Sequence, residues 1–287
     1  MAVESLKVLR RRLRAVKSIG KITRAMEMVS ASKLRRAQQR VEAARPYGLK
    51  MQQMLESLAA AAAGLNHPLF EEREVKNSLL VVFSSDRGLA GSYNSNINRT
   101  AMRYLHGAPK GTVKLGIIGK KAADFFRRRP FPIDFAITDL GGNVDLVRIR
   151  RLAMEITNKF QNGEVDEVRL LYTRFVSMTS YRLTLERFLP IEKPAGLENQ
   201  AEINYIFEPD ADSIFGNLVP RYCVTKILQA MLESFASEHG SRMIAMSNAT
   251  TNAKDMIDHL TIVRNKARQA AITKELLDII GGVEALK

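Results

Sequence analysis

The stretch LKVLRRRLRAVKSIGKITRAMEMVS, residues 6–30, decides the fold. Its apolar residues Leu6, Leu9, Leu13, Val16, Ile19, Ile22, Met26 and Val29 recur every three or four positions, the stripe of an amphipathic helix. Between them stand Arg10, Arg11, Arg12, Arg14, Lys17, Lys21 and Arg24, so a narrow apolar face runs along an otherwise cationic surface. Such charges either solvate a helix or meet an anionic partner, and the stripe leaves both open. Helix formers continue through Ala37, Val41, Ala44 and the alanine run at 59–63, with Pro46 as the kink position before Pro68. The pattern predicts one long N-terminal coiled-coil helix within residues 1–66.

The C-terminal third repeats the theme. Ala253, Met256, Leu260, Val263, Ala267, Ala270 and Leu277 make a heptad-like seam that skips Lys274, inside a helix expected from about Asp212 to Ile280. Gly281 and Gly282 are the expected stop, and residues 205–287 the second coiled-coil segment. At 1.5 Å per residue the two helices reach roughly 85 and 100 Å, more than one globular core requires, so each is the other's natural partner.

Between them the period changes. Leu79–Ser84, Val113–Ile118, Phe135–Thr138, Val168–Tyr172 and Arg182–Leu189 read as strands, and Asn94–Leu105, Gly119–Arg128 and Val144–Phe160 as helices. Strands alternating with helices indicate a Rossmann-like α/β domain with a largely parallel sheet over residues 75–195. The Pro/Gly/Asn-rich stretch from Pro190 to Asn204 ends it, so the fold class is α/β: a long antiparallel coiled coil with an inserted α/β domain.

Composition narrows the function. Of the 287 residues 46% are hydrophobic, 26% are charged and one, Cys223, is cysteine, which excludes disorder, a disulfide scaffold and a cysteine-based zinc cluster. No apolar run approaches the roughly 18 residues that span a bilayer, and the N-terminus has no apolar core of a secretory leader. The net charge is +14, and residues 1–60 carry most of it, with 14 Lys and Arg against 4 Asp and Glu. A segment that basic implies an anionic partner: nucleic acid, an acidic membrane surface or acidic loops of another protein.

Chemistry is sparse. Ser84-Ser85-Asp86-Arg87-Gly88-Leu89-Ala90-Gly91-Ser92 follows a strand and precedes a helix, where phosphate loops occur, but it lacks the spacing of a dinucleotide or P-loop motif, as does Gly116–Lys121. It reads as a tight strand-to-helix turn. The four histidines, His67, His106, His239 and His259, lie far apart with no i+4 ligand, and no nucleophile stands beside a base. No catalytic, cofactor or metal set emerges. The unequal helix lengths instead leave Ile272, Leu276, Leu277, Ile279 and Ile280 beyond the pairing region by ten to fifteen residues, roughly 15 to 22 Å, so a socket in another protein is expected unless the N-terminal helix pairs in a register that covers them.

Three ordered stretches, Ile22–Lys33, Asp86–Gly91 and Asn265–Leu276, closely resemble the gamma subunits of F-type ATP synthases, the central rotor shafts, and the resemblance covers nearly the whole chain. It implies a coiled coil inside a hexamer of alternating alpha and beta subunits, an apolar bearing around the tip, and an α/β domain that meets the epsilon subunit and the membrane-embedded c-ring. It implies contacts with the hexamer at Arg24, Met26, Arg242, Arg268, Gln269, Thr273 and Glu275, and a basic helix facing acidic loops of the beta subunits. The implied chain is non-catalytic, without cofactor or nucleic acid, and peripheral to the cytoplasmic face of a bacterial inner membrane. Two departures stand out: Ala90 occupies the position where the family usually has cysteine, and the cysteine-bearing insert of plastid members is missing. The rival is a basic coiled coil that binds nucleic acid, disfavoured because the basic residues share their helix with the apolar seam instead of preceding it.

Overall fold

The computed structural model describes residues 6–61, 67–109, 111–142, 144–178, 180–192 and 211–284. Residues 1–5 and 62–66 of the expected first helix, 193–195 of the expected α/β domain, and 205–210 and 285–287 of the expected last helix lie outside the described residues. The chain forms two compact units, one of residues 31–241 and one in which residues 1–30 join residues 242–287. The elements are α1 (Leu6–Ala61), a short 3-10 turn at Pro68–Phe70, β1 (Ser78–Phe83), α2 (Tyr93–Gly107), β2 (Val113–Ile118), α3 (Lys120–Phe126), β3 (Ile133–Ile137), α4 (Leu146–Gln161), β4 (Glu167–Phe175), β5 (Tyr181–Leu189) and α5 (Ala211–Glu284).

In the unit of residues 31–241 the five strands lie in the order β3-β2-β1-β4-β5. The first four are parallel and β5 runs antiparallel to β4. β1 is central, and all six of its residues are buried, as expected of a parallel strand covered on both faces. Its pleat divides the core. Leu79, Val81 and Phe83 face Met51 and Leu55 of α1, Ile149, Ile156 and Phe160 of α4, and Phe215, Val219, Cys223 and Ile227 of α5. Leu80 and Val82 face Ile97 and Ala101 of α2 and Ala122 and Phe126 of α3. α4 starts where the Asp145 carboxylate accepts the backbone N–H groups of Val147 and Arg148, at 3.0 and 3.3 Å. The Phe135 ring on β3 lies where a Cβ at Gly116 would stand, so β2 is held to glycine there.

The other unit is an antiparallel helix pair. Thr250 Oγ1 lies 2.9 Å from Thr23 Oγ1, and a Cβ at Gly20 would lie 3.5 Å from that of Ala253, one register stepped in opposite senses along the two helices. Leu9, Leu13, Thr23 and Ser30 are buried on α1, and Met246 and Ala253 on α5. This corrects the expected stripe. Ile19, Ile22 and Val29 are 52%, 58% and 56% exposed, while the small residues Gly20, Thr23 and Ser30 take the inward positions that let two backbones approach closely. On α5 Met256 is likewise outward and Ile257 is half-buried in its place, and Ala270 and Leu277 are exposed. The glycine stop fails too. α5 runs through Gly281 and Gly282 to Glu284, neither glycine taking the positive φ of a helix cap, because a mid-helix glycine costs only about 1 kcal/mol.

Cys223 is fully enclosed by the core, and burial pushes its thiol up to about 12. A group whose pKa is raised this far stays protonated at neutral and mildly alkaline pH, and the thiolate is the reactive species. Native protein at pH 8 should therefore resist a small thiol-reactive reagent and take up one equivalent per chain once unfolded in denaturant. Labelling in native buffer at the denatured rate would contradict this packing.

Candidate functional site

The carboxyl ends of β1 and β4 flank the point where strand order reverses, the usual ligand crevice of an open α/β sheet. Here the chain's own helix lies across it. Tyr93 Oη donates to the Ser234 carbonyl at 3.2 Å, Ser237 Oγ to the Thr173 carbonyl at 3.0 Å, and Ser241 Oγ to the Ala90 carbonyl at 2.7 Å. Glu233 accepts the Phe175 backbone N–H at 2.7 Å. One stripe of α5 thus bonds both the loop after β1 and the end of β4.

The loop Ser84–Ser92 uses its polar groups internally in the same way. Asp86 Oδ1 accepts the N–H groups of Lys120 and Asp139, each at 3.1 Å, and Oδ2 accepts that of Gly141 at 3.2 Å. One carboxylate therefore stitches together the loops after β1, β2 and β3 and satisfies the first N–H of α3. Ser84 Oγ accepts from Ala122 N at 3.0 Å, and Ser85 N donates to Asn94 Oδ1 at 3.1 Å. Gly119 holds φ at 103°, and a Cβ there would overlap the Ser84 carbonyl. The Asp86 carboxylate, the Ser84 hydroxyl and the Ser85 N–H are thus all engaged within the protein. The stretch forms the expected strand-to-helix connection between β1 and α2.

The resemblance-derived positions fall mostly on exposed helix surface. Arg24 is exposed and pairs with Glu27 one turn on, at 3.3 Å. Met26 is half-buried. Arg268, Gln269, Thr273 and Glu275 are exposed. Arg242 differs: it is only 7% exposed. Ile272, Leu276, Leu277, Ile279 and Ile280 are between 51% and 63% exposed. In the register of the Thr23–Thr250 pair, Leu6 stands opposite Ala267, so residues 268–284, about 25 Å of helix, face no described residue of α1.

A second apolar surface escaped the sequence reading. Ile19, Ile22, Met28 and Val29 are each more than half exposed on the outer side of α1, in the same turns as the exposed Lys17, Lys21 and Arg24. Its signal was present in the sequence: Gly20, Thr23 and Ser30 also recur at three- and four-residue multiples, one position away from the apolar stripe. Among the described residues no group of three or more His, Cys, Asp or Glu side chains could hold a metal ion.

Comparison with known proteins adds independent findings. Residues 5–286 match the family model described as ATP synthase. A protein of Moorella thermoacetica described as ATP synthase gamma chain is 46% identical over 281 residues, which cover 97% of this chain and 98% of that protein. A chain in the central stalk and c-ring structure of the Tetrahymena thermophila mitochondrial ATP synthase is similar with a TM-score of 0.63 and 27% identity, over 79% of this chain and 99% of that one. A chain of the Euglena gracilis mitochondrial ATP synthase shares the fold, with a TM-score of 0.70 and 21% identity over 98% of this chain and 94% of that one.

If the Asp86 carboxylate is a brace, Asp86→Ala leaves three backbone N–H donors without their acceptor and should lower stability by about 2 kcal/mol in a urea titration, with Asp86→Asn intermediate. A loss below about 0.5 kcal/mol would make it an ordinary solvated loop charge.

Proposed function

The chain belongs to the ATP synthase gamma-chain family, and on that premise we propose that it is the central-stalk rotor of a bacterial F-type ATP synthase, coupling proton-driven rotation to ATP synthesis and hydrolysis in the alpha/beta hexamer. The observation that carries this reading is the uncovered end of α5, with five large aliphatic side chains at 51–63% exposure. Leaving that surface in water costs several kcal/mol at about 25 cal/mol per Å². A bearing formed by the hexamer removes that cost.

The mechanism is one of differential binding. Rotation changes nucleotide affinity only if each shaft orientation binds one beta conformation better than another, because a partner with equal affinity for both states shifts nothing. Arg24, Met26, Arg268, Gln269, Thr273 and Glu275 are the side chains offered to the hexamer. Arg242, being buried, acts by shaping the helix that presents them. The exposed basic residues Arg10, Arg11, Arg14, Lys17 and Lys21 suit acidic loops of the beta subunits. The α/β part meets the epsilon subunit and the c-ring.

We take the chain itself to be non-catalytic, since its loop after β1 directs its polar groups inward and α5 lies across the crevice. It sits peripherally on the cytoplasmic face of the inner membrane, held there by the complex. No described helix is long and apolar enough to cross a membrane. A nucleic-acid reader would need a basic block free of any seam, whereas Arg10 to Arg24 share their turns with Leu9, Leu13 and Thr23 of the helix pair.

The test is reconstitution with purified alpha and beta subunits. One copy per hexamer with raised, cooperative ATPase turnover supports the shaft; no complex, together with salt-sensitive binding to DNA or RNA, overturns it. Replacing Ile272, Leu276, Leu277, Ile279 and Ile280 together by serine should leave the unfolding midpoint of the full chain unchanged, because these side chains are already exposed, yet weaken hexamer binding at least tenfold. Unchanged hexamer binding would remove the bearing role.

A further inference from the structure

Inside the unit of residues 31–241 three elements meet at one charged junction. Arg45 of α1 donates from Nε to Glu233 Oε1 at 2.9 Å and from Nη2 to Glu233 Oε2 at 3.1 Å, a two-point pairing with α5. The same Nη2 donates to the Phe175 carbonyl at 2.6 Å, and Glu233 Oε2 accepts the Phe175 N–H at 2.7 Å. Glu233 is 7% exposed. Both polar groups of the last residue of β4 are therefore held by an ion pair whose members sit on two different helices.

The rest of the seam between these helices and the sheet is largely the apolar packing of Met51, Leu55, Phe215, Val219 and Ile227. Apolar contact is non-directional, so it resists separation far better than it resists sliding or twisting. A planar guanidinium paired at two points to a carboxylate has a fixed orientation, and charge-assisted bonds are about twice as strong as neutral ones. The serine bonds of α5 at Ser237 and Ser241 tie that helix alone to the sheet side. Arg45 brings α1 into the same junction.

We propose that Arg45 and Glu233 are positioning residues for rotary coupling: they lock α1, α5 and the end of β4 together, so that twist applied to the sheet reaches both helices without slip. This rests on the rotor reading above. Twist loads the junction only when the shaft works against the ring, so the lock matters for coupled rotation and little for unloaded hydrolysis.

The experiment compares two variants in the assembled enzyme. Glu233→Gln keeps an acceptor for Phe175 N–H but weakens the ion pair, and Arg45→Met with Glu233→Gln removes the pair without stranding a buried charge. With wild-type chain the assembly must hydrolyse ATP and pump protons; failure there refutes the rotor reading, separately from this one. The proposal expects ATPase of the alpha/beta/shaft subcomplex within twofold of wild type. It expects ATP-driven proton pumping per ATP hydrolysed to fall at least threefold in the double variant and to a lesser degree in Glu233→Gln. A pumping-to-hydrolysis ratio equal to wild type in the double variant overturns it. Should the double variant fail to assemble, Glu233→Gln decides: a lowered ratio supports the lock, and an unchanged ratio overturns it.

Discussion

The structure depends on α5 crossing the carboxyl edge of the parallel sheet. A five-stranded sheet in the order 3-2-1-4-5 opens a crevice between β1 and β4, and in such folds that crevice takes a ligand. Here it takes Glu233, Ser234, Ser237 and Ser241, which bond Phe175, Tyr93, Thr173 and Ala90 in turn. Buried backbone groups have to be paired, and the helix supplies partners for the carbonyls of Thr173 and Ala90 and the N–H of Phe175. The loop after β1 follows suit, with Asp86 holding three backbone N–H groups of the adjacent loops. What remains is an α/β scaffold shaped to hold a helix.

The sheet was legible in the sequence because its strands are short, apolar and bounded by turns. β2 falls at Val113–Ile118 as expected, and β1 is displaced by one residue from the expected Leu79–Ser84. β4 runs on to Phe175, past the expected end at Tyr172, because its pairing with β5 continues to Tyr181. The ligand-like role of α5 was illegible, since Ser237 and Ser241 are ordinary polar residues until the fold places carbonyls opposite their hydroxyls, and Ser234 contributes only its backbone carbonyl, to Tyr93. Their spacing of three and four was the available trace.

The helix pair shows where a hydrophobicity reading fails in physical terms. Such a reading assigns the largest apolar residues to the seam and so selects Ile19, Ile22 and Val29. Close approach of two long helices selects small side chains instead, and Gly20 facing Ala253 with Thr23 bonded to Thr250 satisfies it. Both sets obey helical spacing, so period alone does not separate them. The consequence is functional as well as structural: an inward set of small residues frees the bulky ones for the outside.

A shaft with the same surface in every direction would bind each partner conformation equally and bias none of them. The two helices of this pair are unlike. Outward α1 carries Ile19, Ile22, Met28 and Val29 among Lys17, Lys21 and Arg24, whereas the stretch of α5 opposite it, residues 244–256, exposes Asn248, Thr251, Asn252, Lys254, Asp255 and Met256. One side is basic and apolar, and the other is mixed in charge. A helix pair made of two such faces presents different free energies of contact as it turns, and only that difference can order the states of a surrounding ring. The seam of small residues and the asymmetry of the surface are therefore one property, since bulk withdrawn from the interior of the pair is what makes its exterior uneven.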